Sequence, residues 1–328
     1  MNKPSAAHAF FLAGPTASGK SAVAEWIARN SPGFELLSAD SMQVYRGLDV
    51  GTAKTPPAER TGIVYHGLDL VDPAQPFSVV DWLRVARRAL AAAAERGNSV
   101  IVVGGTGLYL SALLRGIDGT ARPASAPEER RRWTDLFAAE GVDGLQRAAE
   151  ARCQGILARM PDPANPRRLV RVLERLERGE DPLPKSATPR IAPIPALSFD
   201  PAELAVRIER RVDRMLAGGA LLDETRALLE RFPEWANASA AIGYAEARAV
   251  LRGECDLAAA RERIAARTRQ LAKRQRTWFR TQLPTLPVDG PASEDDVPAV
   301  AQAILRIYGE TGPAPCVLPE QATIPQAQ

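Results

Sequence analysis

Eight consecutive residues, Gly14-Pro15-Thr16-Ala17-Ser18-Gly19-Lys20-Ser21, have the types and spacing needed to bind an anion. Glycines let backbone N–H groups close around a phosphate, and a following helix adds the positive end of its dipole. Lys20 supplies a point charge, and the Ser21 hydroxyl is a ligand for Mg²⁺. The pattern points to a phosphate compound without saying which one. Two more polar residues stand where strands are expected to end: Asp40 after Ser38-Ala39, and Thr106 within Gly104-Gly105-Thr106-Gly107. Asp40 reads three ways from its local sequence: a Mg²⁺ ligand, a helix N-cap or a general base.

Holding these groups together requires strands that end side by side. Residues 8–13 form an apolar run leading straight into the glycine loop, and residues 21–30 place Ala22, Val23, Trp26 and Ile27 on one side of a helix. Residues 34–39 read as a second strand. Residues 78–96 have helical apolar spacing, a capping box from Ser78 and Asp81, and Gly97 as a stop. Residues 100–103 are an apolar β-branched run, suited to a strand buried on both faces. This alternation predicts an α/β fold with a P-loop NTPase-like parallel sheet. The carboxyl ends of neighbouring strands in such a sheet open into one crevice, so Asp40 and Thr106 should face whatever the phosphate loop holds.

The pattern then changes. Two charged helical stretches, residues 128–139 and 166–178, lie among prolines that include Pro123, Pro161, Pro184 and Pro189. A mainly helical insertion is expected over 118–195, interrupting a core made of 1–117 and 196–310. Residues 196–199 read as a returning core strand and 201–308 as mostly helix. The proline-rich tail, 311–328, is expected to be disordered.

Composition sets limits. The 328 residues are 45% hydrophobic and 25% charged, ordinary for a globular protein, and the net charge of +3 diagnoses nothing unless the cations cluster. Cys153, Cys255 and Cys316 lie far apart, and neither His8 nor His66 stands beside a cysteine. A zinc finger or disulfide framework is not expected, and a reducing cytoplasm fits. No apolar run is long enough for a membrane span.

Residues 267–280 do cluster charge, with six basic residues and no acid. Arg269, Lys273, Arg276 and Arg280 fall at helical steps of four, three and four, and so share one face. By itself such a face is a solvated helix surface. The wider pattern gives it a partner. Ser38-Ala39-Asp40-Ser41-Met42-Gln43-Val44-Tyr45-Arg46-Gly47-Leu48-Asp49-Val50-Gly51 followed by Thr52-Ala53-Lys54-Thr55-Pro56, Gly104 to Tyr109, Asn165-Pro166-Arg167-Arg168-Leu169-Val170-Arg171, Ile242-Gly243-Tyr244 and Thr268 to Arg280 together resemble the tRNA isopentenyltransferase family.

That resemblance implies transfer of a dimethylallyl group from dimethylallyl diphosphate to the adenosine 3′ of the tRNA anticodon. The loop from Gly14 to Ser21 would hold the diphosphate with Mg²⁺, Arg211 would help neutralise it, and Arg207 is a weaker candidate for the same role. Asp40 would be the base and Thr106 would orient the nucleotide. The tRNA would meet Asp40, Ser41, Met42, Gln43, Thr106, Arg130, Arg167, Arg168, Leu169, Val170, Arg171, Gly243, Tyr244, Arg269, Lys273, Arg274, Gln275, Arg276 and Arg280. A cytoplasmic monomer that binds no membrane is expected. Three departures from the pattern stand out: Ser21 for the commoner threonine, Ala245 where a basic residue often follows Gly-Tyr, and no C-terminal zinc finger of the eukaryotic kind.

Overall fold

The computed structural model describes residues 7–117, 127–160, 162–183, 191–233, 235 and 241–318. The chain divides into two compact units, one of Met1–Gly116 with Pro189–Gln328, the other of Ile117–Thr188. The boundary at 188 replaces the one expected at 195. Prolines 123, 161, 184 and 189 and the tail from 319 onward lie outside the described residues.

The first unit is a parallel sheet with helices around it. Its strands are β1 (His8–Ala13), β2 (Phe34–Ser38), β3 (Tyr65–His66), β4 (Ser99–Gly104), β5 (Ile194–Ser198) and β6 (Thr285–Asp289), in the spatial order β3-β2-β4-β1-β5-β6. All these pairs are parallel. The run from Val100 to Val103 is buried, as a strand covered on both faces must be. Helices α1 (Lys20–Asn30), α2 (Val79–Glu95) and α3 (Gly107–Arg115) follow β1, β3 and β4 in the chain. The capping box of α2 is formed: Ser78 Oγ accepts from the Asp81 amide while the Ser78 amide donates to Asp81 Oδ2 at 3.0 Å. The first turn of α2 carries buried Trp82, whose indole N–H donates to Ser38 O at 2.9 Å. That bond pins β2 two residues before Asp40.

After β5 the core continues with α7 (Pro201–Leu216), α8 (Ala220–Arg231), α9 (Tyr244–Leu251) and α10 (Leu257–Gln282), and ends with α11 (Val297–Thr311). Three short strands escape a reading by periodicity. β3 has two residues. β6 contains Pro287 and lies at the sheet edge, where a missing N–H is tolerated. A seventh strand, β7 (Ala314–Pro315), pairs antiparallel with β1, and the amides of Cys316 and Val317 donate to Ala7 O and Leu113 O, both at 2.7 Å. Residues 312–318 are therefore ordered, which corrects the expectation of a structureless tail from 311.

The second unit has its own small core. Helix α4 (Pro127–Arg152, broken at Gly141), α5 (Ile156–Arg159) and α6 (Pro166–Glu177) enclose Trp133, Leu145, Ile156, Leu169, Val170 and Leu173. Asn165 caps α6 by accepting from the amides of Arg167 and Arg168, with Pro166 at the first helical position. Trp133 is 2% exposed and donates to Glu177, which makes it a packing residue. Among the described residues, no helix is long and apolar enough to cross a membrane.

Candidate active site

The glycine loop joins β1 to α1 in the middle of the sheet. Two backbone features shape it. Gly19 has φ 80° and leads directly into α1, so the loop amides and the helix N-terminus converge. Ala17 also lies in the left-handed region, at φ 63°, which costs a non-glycine residue roughly 1–2 kcal/mol. Arg207 of α7 holds the strained peptide in place: its Nε donates to Ala17 O at 2.9 Å, and its Nη1 donates to Pro291 O at 2.9 Å. Arg207 is thus a brace for the loop, with its guanidinium over the Phe199 ring.

Arg211, one turn further along α7, has a different place. It lines a narrow cavity of about 70 Å³ together with Thr16, Lys20, Ser21, Glu25, Ser38 and Asp40. It also lines a wider one of about 430 Å³ with Asp40, Ser41, Met42, Thr106, Arg267 and Arg274. The two cavities share Thr16, Lys20, Asp40, Thr52 and Arg211 as common wall. The sequence left Arg207 and Arg211 as rivals for one role; the geometry gives them two.

Lys20 donates to Pro15 O at 3.2 Å. Burial lowers its pKa to about 8, Arg211 pushes the same way, and Asp40 partly opposes them. Burial also holds the Arg211 pKa below its ordinary value. Two cations share this wall with one carboxylate, an environment that favours an added anion.

Asp40 Oδ1 accepts from the amides of Met42 (2.8 Å) and Gln43 (3.4 Å) in a turn. No helix begins there, so the reading of Asp40 as a helix cap is set aside. Its Oδ2 has no hydrogen-bond partner among the described residues. The turn is matched to Thr106 across the neighbouring strand: the Ser41 amide donates to Thr106 Oγ1 at 3.1 Å, and the Thr106 amide donates to Ala39 O at 3.1 Å. Since Thr106 Oγ1 is accepting, its hydroxyl proton is left for a ligand. Gly104 permits this close approach, because a Cβ there would lie 2.2 Å from Ala39 O.

A third wall comes from the loop after β2. Glu224 of α8 accepts from the amides of Asp49 (3.1 Å), Val50 (2.8 Å) and Gly51 (3.4 Å), and from the Tyr244 hydroxyl at 2.6 Å. Buried Lys54 donates to Tyr45 O, Asp49 and Asp69 within 2.8 Å. These side chains fix Gly51 and Thr52 against the cavities. Lys54 lies in a segment that resembles the family but had no role assigned from sequence, and Glu224 did not stand out at all; the partners of Glu224 are more than 170 positions away along the chain, except Tyr244.

The structure shows what surrounds each of the expected RNA contacts. Gly243 and Tyr244 are buried, and Tyr244 packs so closely on Gly51 that a Cβ there would lie 2.4 Å from its ring. Leu169 and Val170, at 0% and 5% exposure, face the core of the helical unit. Arg171 bonds Glu174 at 3.3 Å, and Arg130 lies 3.9 Å from the same carboxylate, while Arg167 and Arg168 are exposed. Gln43 is engaged by Ser38 Oγ at 2.9 Å and Gln275 by the site itself. The basic stripe of α10 is partly balanced: Arg269 pairs with Glu209 of α7, and Arg267 with Glu246 of α9. Lys273, Arg274, Arg276 and Arg280 are exposed and make no ion pair among the described residues.

For Mg²⁺, the donors are hard oxygens: the exposed Ser21 hydroxyl, with Thr16, Ser38 and Asp40 on the same narrow cavity. That set fits the ion. Among the described residues, no three His, Cys, Asp or Glu side chains form a metal cage, so ligand oxygens would have to complete the shell.

Comparison with known proteins places this geometry. Residues 43–282 match the IPP transferase family. A tRNA dimethylallyltransferase from Nocardia farcinica is 38% identical over 310 residues, 93% of this chain and 96% of its own. The crystal structure of the full-length tRNA isopentenylpyrophosphate transferase from Bacillus halodurans superposes with a TM-score of 0.65 at 30% identity, covering 93% of this chain and 98% of that one. A eukaryotic dimethylallyltransferase acting on tRNA reaches 0.74 at 27% identity, with 96% and 81% covered. The chain belongs to the IPP transferase family.

Proposed function

We propose that the chain transfers the dimethylallyl group of dimethylallyl diphosphate to N6 of the adenosine 3′ of the tRNA anticodon, position 37, and releases diphosphate. The observation that carries this reading is the shared wall: Asp40, Lys20 and Arg211 stand where a phosphate-loop cavity and a wider cavity beside a basic helix meet. A phosphate-loop small-molecule kinase could use the second cavity for its acceptor, but it would have no use for the exposed cations of α10.

The donor places its diphosphate on the loop amides, Lys20 and Arg211. The target adenine leaves its stack and enters the wider cavity, since chemistry on a base requires extrusion. Thr106 donates its free hydroxyl proton to the nucleotide and orients it. The N6 lone pair attacks C1 of the donor, the C1–O bond breaks, and the N6 proton passes to Asp40. The electron pair of the broken bond stays on diphosphate, where the amides, Lys20 and Arg211 stabilise it. Ser21 would hold Mg²⁺ together with diphosphate oxygens, and the ion would supply further neutralisation of the leaving group. Lys273, Arg274, Arg276 and Arg280, with Arg130, Arg167 and Arg168 of the helical unit, offer cations to the anticodon stem-loop. The working unit is proposed to be a monomer, acting in the cytoplasm where its tRNA substrate is found.

The test is a pair of incubations with unmodified tRNA, one with dimethylallyl diphosphate labelled in its prenyl carbons, the other with γ-labelled ATP. Label should appear in RNA from the first alone, on the adenosine beside the anticodon. Labelled phosphate on any acceptor, or no label in RNA, overturns the reading.

A further inference from the structure

Gln275 lies among the exposed cations of α10, and its sequence setting makes it look like one more contact to RNA. Its side chain is already occupied. Oε1 accepts from the Thr16 amide of the phosphate loop at 2.7 Å, and Nε2 donates to Gly105 O, beside Thr106, at 3.0 Å. One planar amide therefore spans the gap between the loop that takes the donor and the turn that orients the acceptor. Thr16, Thr106 and Gln275 all line the wider cavity. The turn is made to admit this bridge: a Cβ on Gly105 would lie 2.4 Å from Gln275 Nε2, and one on Gly107 would lie 2.2 Å from the Trp278 ring, one helical turn beyond.

We infer that Gln275 is a positioning residue for the transfer, setting the separation of donor and acceptor, and is not a tRNA contact. The inference rests on the function proposed above. The physical reason is the steep dependence of such reactions on placement, where an error near 1 Å costs about a hundredfold. Both bonds of the bridge are short and part-buried, and both ends are backbone groups, so the spacing is set by rigid parts. The neighbouring Arg274 and Arg276 are exposed, Arg274 at the rim of the wider cavity, so tRNA docking on α10 and the geometry of the site are carried by adjacent residues of one helix.

The test uses the full chain and two variants that break the bridge from opposite sides. Gln275→Met keeps the length and volume of the side chain but makes neither hydrogen bond. Gly105→Ala leaves Gln275 in the sequence and displaces its flexible end, the least costly way to relieve the 2.4 Å contact. Each should lower the single-turnover rate at saturating tRNA and donor by about ten- to a hundredfold. Dissociation constants for tRNA and for dimethylallyl diphosphate should stay within about threefold, and the salt dependence of tRNA binding should not change, since no phosphate contact is lost. The double variant should be no slower than the slower single one, because both remove the same bridge. Loss of tRNA affinity with a normal rate at saturation would overturn the inference and make Gln275 an RNA contact. Normal rates in both variants, with melting temperatures near that of the unaltered chain, would overturn it as well. Failure of the unaltered chain to prenylate tRNA sinks the functional reading instead, and is seen in the control before any variant is compared.

Discussion

The donor end and the acceptor end of the site are built on different plans. The donor end is centred on one unbroken segment, Gly14 to Ser21, whose groups are mostly backbone amides at a helix start, with Arg211 reaching it from α7. The acceptor end is assembled from the turn after β2, the turn after β4, the loop at Gly51, Arg211 and Met215 of α7, residues 241–242 and one face of α10. A cradle made of backbone depends on local conformation and tolerates side-chain variation. A cavity made of several distant segments depends on the residues that hold those segments in register, here Trp82, Glu224 and Gln275.

The sharpest way to break the comparison is at Asp40, on the wall between the two ends. Asp40→Asn keeps the shape and the turn but removes the proton acceptor. Single-turnover transfer should fall by about 10²- to 10⁴-fold, with both substrates still bound and no rescue by added Mg²⁺. A mutant within threefold of the unaltered chain, or one restored by metal, would remove the general base from the mechanism.

Lys20→Ala should cost about 10²- to 10³-fold in transfer, in the range seen on removing one preorganised stabilising group. It should weaken donor binding while tRNA affinity stays put. Parallel loss of tRNA binding would show that the two ends are not separable.

The stripe on α10 gives the next effect. Changing Lys273, Arg276 and Arg280 together to Gln should flatten the log–log salt dependence of tRNA binding by about 2 to 3. Arg269→Gln should add little, because Arg269 is already paired with Glu209. Equal effects from Arg269 and the other three would mean that this pair opens on binding.

The smallest effect concerns pH. Lys20 has its pKa lowered to about 8 by burial, so it is charged below that value and neutral above it. Donor affinity should hold between pH 7 and 8 and then fall about tenfold per pH unit, as calorimetry across pH 7 to 9.5 would record. The sign for stability is opposite. A folded-state pKa below the unfolded one means that the buried ammonium opposes folding at pH 7, and that this penalty fades as pH rises. The rise in melting temperature on adding donor should therefore be larger at pH 7 than at pH 9.

The same contrast explains what could be read from the sequence. The phosphate loop was legible because its function is local, and Asp40 and Thr106 because parallel strands end on one side. The α2 capping box and the buried run from Val100 to Val103 were legible for the same reason. What stayed hidden depends on distant pairing. Gln275 binds Thr16 across 259 positions, and nothing in its neighbourhood sets it apart from the cations around it. Glu209, which neutralises Arg269, lies 60 positions away. Leu169, Val170 and Tyr244 stood in family motifs, and a motif does not say which of its residues face inward. β6 carries a proline that masks it, and β3 and β7 are too short for any period.

The Glu224 clamp has a further consequence. Three successive amides turned toward one carboxylate are, in their geometry, a nest of the kind that binds anions. The protein thus contains two such nests near one another along the cavity wall, and it fills one with its own side chain. With Glu224 seated on them, these amides are not available to compete with the phosphate loop for an anion. Glu224→Ala should unmask the decoy: inorganic phosphate would then titrate a second, weaker site, absent from the unaltered chain.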